Sequence, residues 1–474
     1  SQWRGRGRHP PGCSGVTGKL FGTDGVRGIP GCEPLTPATL HALAYHGACV
    51  FLETSGVKVN GRAPRIAIGR DTRGSGPILQ KSLISGFSAA GVETVDLGVI
   101  PTPATSFLTP RLGCFAGVVI SASHNPAEYN GIKFFDGLGF KMTPSMEHEV
   151  ELRLRMGRPI PAARARLLVS GADHVALYLD FLRSSLPATL DLEGVRLVVD
   201  CAHGSAAAFA PKLFKSLGIE VVPLGVRPNG RNINAHCGAL APETMAREVR
   251  RIRAHAGVAF DGDADRALFC DEMGALLDGD AVIGAAAVRL LRTGGLKGGK
   301  VALTVMSNFG LVRFLNERGV EVVTTPVGDR HVTQAIEREG LSLGGENSGH
   351  VVFRDFAPTG DGILTALQTL AAWRESGKPM SALRRLYTPT PQTLLNLHVR
   401  HKPALEGLSR TRAVIAHAAK SLTGRGRVFV RYSGTEPSLR VLVEGPRKAE
   451  NVKIAEAIAR TYLTETAQTE EAHS

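Results

Sequence analysis

No apolar run in this 474-residue chain is long enough to cross a bilayer as a helix, so no membrane-spanning segment is expected. The opening stretch SQWRGRGRHPPGCSG carries arginines but no apolar h-region, and it reads as no secretory signal. It also lacks a starting Met and any hydrophobic periodicity, so residues 1–18 are expected to be a disordered extension. No C-x-x-C pair occurs among the seven scattered cysteines, Cys13, Cys32, Cys49, Cys114, Cys201, Cys237 and Cys270. That excludes zinc and redox sites of that spacing and fits a reducing, cytoplasmic setting. Acidic residues are in deficit, 43 against 56 Lys and Arg, for a net charge of +13. Such a surplus permits nucleic acid as a partner. The basic residues are spread along the chain, however, and Arg4, Arg6 and Arg8 lie in the extension. An anionic small molecule is the simpler partner. What remains is a globular composition of 43% hydrophobic and 21% charged residues, too long for one core, with three or four domains expected.

Three segments share one grammar. RIAIGRDTR (65–73), VRLVVDCAHGS (195–205) and KVALTVMSNFG (300–310) are β-rich apolar runs followed by a polar or glycine-containing turn and a helical stretch. Each helix ends at a glycine that opens a second strand: GVETVDLG (91–98), GIEVVPLG (218–225) and GVEVVTTPVG (319–328). A third element then runs into an unusual polar loop: ISASHNP after Val119, DGDADR after Phe260, and GGENSGH at 344–350. This pattern predicts βαβ units and mostly parallel sheets flanked by helices. Ligands of open α/β sheets bind beyond the carboxyl ends of strands, so the three loops are the candidate site. The last part differs: VFVRYSGTEPSLRVLVEG (428–445) reads as strand, loop, strand. A helix follows, with Val452, Ala455, Ile458, Ala459 and Tyr462 on one face. The expected divisions are 1–18, 19–170, 171–275, 276–385 and 386–474.

Asp261, Asp263 and Asp265 alternate after a strand, and carboxylates this close repel one another unless a cation sits between them. Hard oxygen ligands suit Mg²⁺ or Ca²⁺. An EF-hand is excluded because its sixth position, which needs glycine, is Arg266 and a strand precedes the loop. A solvated acidic turn is the bland alternative. In SASHNP, a serine beside a cation can carry a phosphoryl group. No G-x-S-x-G elbow surrounds it, which argues against a hydrolase. Alone, the loop is equally compatible with serines that only satisfy a turn and a structural His124. Lys133 adds a cation beyond the Asn130-Gly131 turn. In RYSGTEPSLR, the residues Arg431, Ser433, Gly434, Thr435 and Arg440 offer a phosphate clamp. Taken by itself this is also an ordinary polar hairpin. Glu346 and Ser348 suit sugar hydroxyls, and His350 suits proton transfer, though a lone His is more often structural.

Taken together, LFGTDGVRG (20–28), ISASHNP (120–126), NGIKFF (130–135), FDGDADR (260–266), PVGDR (326–330), GGENSGH (344–350), TGDG (359–362) and RYSGTEPSLRVLVEG (431–445) resemble the bacterial phosphoglucosamine mutases of the α-D-phosphohexomutase superfamily. The resemblance runs from about Lys19 to about Leu463. It implies three related α/β domains with mixed, mostly parallel sheets plus a C-terminal α+β domain around a central cleft. It implies phosphoserine at Ser123, with Mg²⁺ on Asp261, Asp263, Asp265 and the Ser123 phosphoryl oxygen. Ser123, His124, Lys133, Arg27 and His350 would be catalytic. Arg266, Arg330, Glu346, Ser348, Arg431, Ser433, Gly434, Thr435 and Arg440 would bind substrate. The implied substrate is a phosphorylated amino sugar, with glucosamine 1,6-bisphosphate as intermediate and UDP-N-acetylglucosamine for the cell wall as the destination. No nucleic acid or membrane partner is implied; a homodimer and an activating kinase are compatible with it.

Three features depart from the family pattern. Ala264 stands where glycine is common, Tyr432 where lysine is usual, and the arginine-rich extension matches nothing. A phosphomannomutase/phosphoglucomutase is the nearest rival. Asn347 in GENSGH favours the glucosamine branch, where Gln or Asn follows the Glu, over the Met frequent in that rival. A non-enzymatic phosphosugar sensor would be expected to lack Ser123 or an aspartate, and none is missing.

Overall fold

The computed structural model describes residues 19–22, 24–56, 63–169, 173–433 and 437–473. The extension at 1–18 and the clamp residues Gly434 and Thr435 lie outside the described residues. The chain divides into two compact units, Ser1–Thr304 with Val323–Leu386 and Val305–Val322 with Tyr387–Ser474.

The first unit holds two sheets and most of a third, whose edge strand, Glu321–Thr325, begins in the second unit. In the first, β1 (Val26–Gly28), β2 (Arg65–Arg70), β3 (Glu93–Val99), β4 (Ala116–Ile120), β5 (Asn130–Asp136) and β6 (Leu167–Val169) lie in the order β1-β5-β4-β2-β3-β6. The second orders β7 (Arg196–Asp200), β8 (Glu220–Leu224), β9 (Ala256–Phe260), β10 (Ala267–Cys270) and β11 (Leu276–Leu277) as β11-β10-β9-β7-β8. The third orders β12 (Lys300–Thr304), β13 (Glu321–Thr325), β14 (Leu343–Gly345) and β15 (Val351–Phe353) as β13-β12-β14-β15. One motif underlies all three. β2, β7 and β12 pair parallel with β4, β9 and β14. Each of those then pairs antiparallel with the next strand, β5, β10 or β15. The expected repeat is therefore real, and a fourth, returning strand makes each sheet mixed. The three polar loops occupy one equivalent position, between the third and fourth strands of each motif.

Local chemistry explains the repetition. The helices Gly76–Ala89, Ala210–Ser216 and Phe309–Asn316 all end near a glycine with positive φ, at Gly91 (76°), Gly218 (81°) and Gly319 (74°). In each, the glycine N–H and the next N–H bond back to the last turn: Val92 to Phe87 O, Ile219 to Phe214 O, Val320 to Leu315 O. This is the Schellman closure, which turns the chain straight into the next strand. Strands β4 and β9 are buried at every position, as both-face burial between helices requires. Ile66, Ile68, Val118, Ile120 and Phe134 form the first core with Leu40, Leu43 and Phe87 of the flanking helices.

In the second unit, β16 (Gln392–His398), β17 (Arg427–Tyr432) and β18 (Ser438–Glu444) form an antiparallel sheet ordered β16-β18-β17. The helix Lys448–His473 covers it with Ala455, Ile458 and Tyr462 against Leu439, Val441 and Val443. Ala459 is buried on the same face, and Val452 is half-buried.

Candidate active site

The loop from β4 to β5 carries Ser123 with φ of 51° and almost no exposure. Its Oγ donates to Asp261 Oδ2 at 2.6 Å and lies 3.3 Å from His124 Nδ1. The first serine has a different task. Ser121 Oγ donates to Asp71 Oδ2 at 2.6 Å and accepts from the Ser123 N–H at 2.9 Å. Of the two serines, then, Ser121 is committed to the backbone and Ser123 points at the carboxylates.

Asp261, Asp263 and Asp265 follow β9, all buried, each offering a carboxylate oxygen, with these atoms within 4.8 Å of one another. Gly262 between them has no room for a side chain. A Cβ there would lie 2.7 Å from the Ser123 carbonyl oxygen and 2.7 Å from Ile233 Cδ1, so glycine lets the two loops touch. Asp263 Oδ2 accepts from Thr102 Oγ1 at 2.7 Å and Lys133 Nζ at 3.0 Å. Asp261 accepts from Ser123 through Oδ2 and from the Arg266 N–H through Oδ1. Asp263 Oδ1 and Asp265 Oδ1 are buried with no hydrogen-bond partner among the described residues. Buried carboxylate oxygens in that condition are costly. A hard divalent cation bridging the trio fits this donor set and satisfies both atoms. Without the cation, burial and then the neighbouring Asp265 and Asp263 charges push the Asp261 carboxyl well above its usual range. Burial acts on Asp265 in the same direction. There Lys133, His350 and Arg266 outweigh it and hold the group well below that range.

Around the trio runs a closed ring of alternating charge. Lys133 Nζ lies 2.9 Å from Asp24 and 3.5 Å from Asp265. Asp24 pairs in turn with Lys141, and Lys141 with Asp329. His350 closes the ring, 3.9 Å from both Asp329 Oδ2 and Asp265 Oδ2. Those last two separations exceed normal hydrogen-bond length, so the attraction across them is mainly one of charge. Burial pulls the His350 pKa down, but Asp265 and Asp329 overcome it and raise the value. His124 goes the opposite way, to about 4, because it is buried and faces Arg266 and Arg27. The two histidines therefore differ at neutral pH: His124 is neutral, and His350 is biased toward the cation. Arg27 Nη1 donates to Asn125 Oδ1 at 2.9 Å, and Arg266 Nε stands 3.7 Å from Asp265. Arg330 is committed to Glu147, and Glu346 Oε1 accepts from the Gly328 N–H at 2.9 Å. Ser348 Oγ has no hydrogen-bond partner among the described residues.

Four models of the phosphoglucomutase/phosphomannomutase family match in order: α/β/α domain I at 18–158, domain II at 176–274, domain III at 278–390 and the C-terminal domain at 394–461. A phosphoglucosamine mutase of Syntrophotalea carbinolica is 43% identical over 446 residues, spanning 93% of this chain and 96% of its own. That of Sorangium cellulosum is 45% identical over 90% and 89% of the two chains. The chain belongs to the phosphoglucosamine mutase family. Solved structures share the fold. One is a phosphoglucomutase/phosphomannomutase family protein of Burkholderia thailandensis (TM-score 0.80, 24% identity, 94% of this chain and 98% of that one). Another is an Aspergillus fumigatus N-acetylphosphoglucosamine mutase in complex with GlcNAc-6P and magnesium (TM-score 0.62, 19% identity, 94% and 96%).

Two of the three departures from the family pattern now have physical accounts. Ala264 sits at φ 58°, the left-handed region, which explains glycine as the common residue there. For a non-glycine residue this conformation costs about 1–2 kcal/mol. Burying its methyl group regains about 0.8 kcal/mol, and Ala restricts the unfolded chain relative to Gly by another 0.5–1 kcal/mol. The terms nearly cancel. Ala264→Gly is expected to stay within about 1 kcal/mol of wild type in thermal unfolding, whereas the β-branched Ala264→Val should lose more than about 2 kcal/mol. Tyr432, in the second unit, turns away from the clamp face. Its hydroxyl donates to the Pro403 carbonyl at 2.7 Å and meets Tyr462 Oη at 3.2 Å. On the other face, Arg431 and Arg440 are directly opposed across β17 and β18. Like charges so placed repel; burial and then Arg440 lower the Arg431 pKa.

Asp24, Lys141, Asp329, Asp71, Arg73, Thr102 and Asn234 were not singled out by sequence. Asp24 and Asp329 lie inside quoted motifs, GTDG and VGDR, which was a usable signal. In TGDG, Asp361 caps the helix Gly362–Ser376, accepting from the Ile363 and Leu364 N–H groups and from Tyr178 Oη at 2.8 Å. Burial raises its pKa from 3.8 to about 6. A carboxyl raised in the folded state stabilises below its unfolded pKa, and that contribution is lost as pH rises through about 6. Asp361→Asn keeps the cap and removes the buried charge. In chelator-treated protein, its stability relative to wild type should improve by about 1–3 kcal/mol between pH 4 and pH 7. A pH-independent difference in Tm would show that Asp361 is ionised throughout.

Proposed function

We propose that the chain interconverts glucosamine 6-phosphate and glucosamine 1-phosphate through phosphoserine 123 and glucosamine 1,6-bisphosphate. The observation that carries this is the placement of Ser123 Oγ, 2.6 Å from Asp261 in the cation-fitting trio, in a chain of this family. Mg²⁺, held by Asp261, Asp263, Asp265 and the phosphoryl oxygen on Ser123, would neutralise charge on the transferred group. In the first transfer the Ser123 Oγ–P bond breaks and a bond to the sugar O1 forms. His124, whose Nδ1 lies 3.3 Å from Ser123 Oγ, takes the O1 hydroxyl proton and passes it to the departing Ser123 Oγ, while Lys133, Arg27 and His350 supply positive charge around the phosphoryl oxygens. The bisphosphate then reverses its orientation, the O6–P bond breaks as a Ser123 Oγ–P bond forms, the Ser123 hydroxyl proton passes to O6, and glucosamine 1-phosphate is left. Arg266, Arg330, Glu346 and Ser348 are assigned to the sugar. Glu346 and Ser348 fit hydroxyls: one is a buried carboxylate, the other a hydroxyl still open to a partner among the described residues. Arg431, Ser433, Gly434, Thr435 and Arg440 are assigned to the phosphate that is not transferred.

Among the described residues no helix is long and apolar enough to cross a membrane. The proposed setting is the cytoplasm, feeding UDP-N-acetylglucosamine synthesis. A homodimer and priming of Ser123 by a kinase or by autophosphorylation belong to the same proposal. The test combines intact mass of the purified protein with kcat/KM for glucosamine 6-phosphate, glucose 6-phosphate and mannose 6-phosphate, all on one phosphorylated preparation. The phosphate anchor serves every hexose phosphate equally, so preference must come from the 2-position. One hydrogen bond there is worth about 0.5–1.5 kcal/mol, which predicts a preference of up to roughly tenfold for the amino sugar. Equal or better turnover of mannose or glucose 6-phosphate would move the assignment to a phosphomannomutase/phosphoglucomutase.

A further inference from the structure

Among the described residues Arg73 is the largest fully buried side chain, and its hydrogen bonds go to none of the carboxylates of the cation trio. A guanidinium has five N–H donors, and all five are spent on the catalytic loop and its support. Nε donates to Asp71 Oδ2 at 2.9 Å. Nη1 donates to the carbonyls of Pro126 and, at 2.9 Å, Tyr129. Nη2 donates to the carbonyls of Ser123 at 3.0 Å and Asn125 at 2.7 Å. Asp71 passes the connection on to Ser121 Oγ, and Ser121 Oγ takes the Ser123 N–H. From the second α/β domain, Asn234 Nδ2 grips the same two carbonyls, Ser123 at 2.9 Å and Asn125 at 3.0 Å.

Ser123 therefore has its N–H and its carbonyl both fixed, the carbonyl from two domains, while φ is held at 51°. A non-glycine residue stays in that region only where its surroundings over-determine it. We infer that Asp71, Arg73, Ser121 and Asn234 are positioning residues that lock the phosphoryl-carrying serine onto the carboxylate loop. Arg73 acts as an internal strut, and Asn234 ties the serine of one domain to the neighbouring one. This rests on Ser123 as the phosphorylated residue. Turnover requires Oγ in line with the sugar hydroxyl, and a loop displaced by about 1 Å can cost roughly 100-fold in rate without changing how the sugar is held. Loosening the strut therefore lowers kcat and leaves KM alone.

The experiment uses the full chain, wild type and the variants Ser121→Ala, Asn234→Ala and Arg73→Lys. It measures kcat, KM, Tm and the ³¹P resonance of the phosphoenzyme, with phosphopeptide mapping on wild type. Ser121→Ala and Asn234→Ala each remove one or two hydrogen bonds and leave the core intact, so they stay informative if Arg73→Lys does not fold. The expected result for both is kcat roughly 10–100-fold lower, KM within about threefold of wild type, Tm within a few degrees, and a shifted or broadened phosphoserine resonance. Wild type phosphorylated on Ser123 and turning over, with both variants keeping kcat and the resonance, overturns the strut alone. A kcat loss matched by the unfolded fraction, or a rise in KM in place of the kcat loss, also overturns it. Phosphate mapped to another residue overturns both the strut and the proposed mechanism.

Discussion

Ser123→Ala is expected to lower kcat by on the order of 10⁴-fold or more, because it removes the atom proposed to carry the transferred group. No neighbour can take its place. Ser121 Oγ is buried and already engaged as donor to Asp71 and as acceptor from the residue 123 N–H, an interaction that the alanine backbone would retain. His124 presents an imidazole that is neutral at neutral pH, but a phosphoryl group on its nitrogen would be a labile phosphoramidate and not the stable ester that a serine forms. Asp261 loses its Ser123 partner but keeps the Arg266 N–H, so the loop should still close. The variant should therefore fold, with Tm within a few degrees of wild type, and should show no phosphoryl adduct by intact mass. Substantial residual turnover, or a phosphopeptide that places the only phosphate on Ser121, would remove Ser123 from its role.

The parts of this site that sequence revealed are those whose chemistry is local. The spacing of Asp261, Asp263 and Asp265 predicts a carboxylate cluster, which the structure brings within 4.8 Å, and Ser123 follows a strand that ends in small polar residues. The threefold α/β repeat was visible because each unit ends its helix with the same glycine closure, at Gly91, Gly218 and Gly319. The returning strands were harder. ALFC and VVF are short apolar runs with no period of their own, and only their antiparallel pairing to β9 and β14 identifies them. Partners that meet across many residues were not legible at all. Asp71 reaches Ser121 over 50 positions, and Lys141 reaches Asp329 over 188. Arg73 looks like any charged residue after a strand, and only the fold shows that all five donors are buried. Arg330 was expected to line the site, and the structure pairs it with Glu147. Ala264 and Tyr432 looked alike as departures from a family pattern. Backbone conformation and strand alternation separate them: one answers to φ, the other to which face of β17 it occupies.

Removing the cation is expected to stop turnover and to lower stability in a pH-dependent way. Three buried carboxylates within 4.8 Å repel one another, and Lys133 offsets only part of that charge. In chelator the protein relieves the repulsion by keeping a proton on Asp261, whose carboxyl is pushed well above 3.8 by burial and by its two neighbours. That relief is present at low pH and is lost as pH rises through the folded-state value. The increase in Tm produced by saturating Mg²⁺ should therefore grow as pH rises above the usual carboxylate range, in step with mass action on the ionised trio. Asp263→Asn tests the same geometry from the protein side. The carboxamide has one oxygen and one NH₂. Thr102 and Lys133 donate to the Oδ2 side, so NH₂ on that side meets two donors; NH₂ on the Oδ1 side would replace the oxygen that is buried without a partner and free to hold a cation. Either orientation loses an interaction that the carboxylate makes, and kcat should fall by roughly 10²–10³-fold with Mg²⁺ present. Full turnover in excess EDTA, or an Asp263→Asn variant with wild-type kcat and an unchanged Mg²⁺ effect on Tm, would show that the trio holds no catalytic cation.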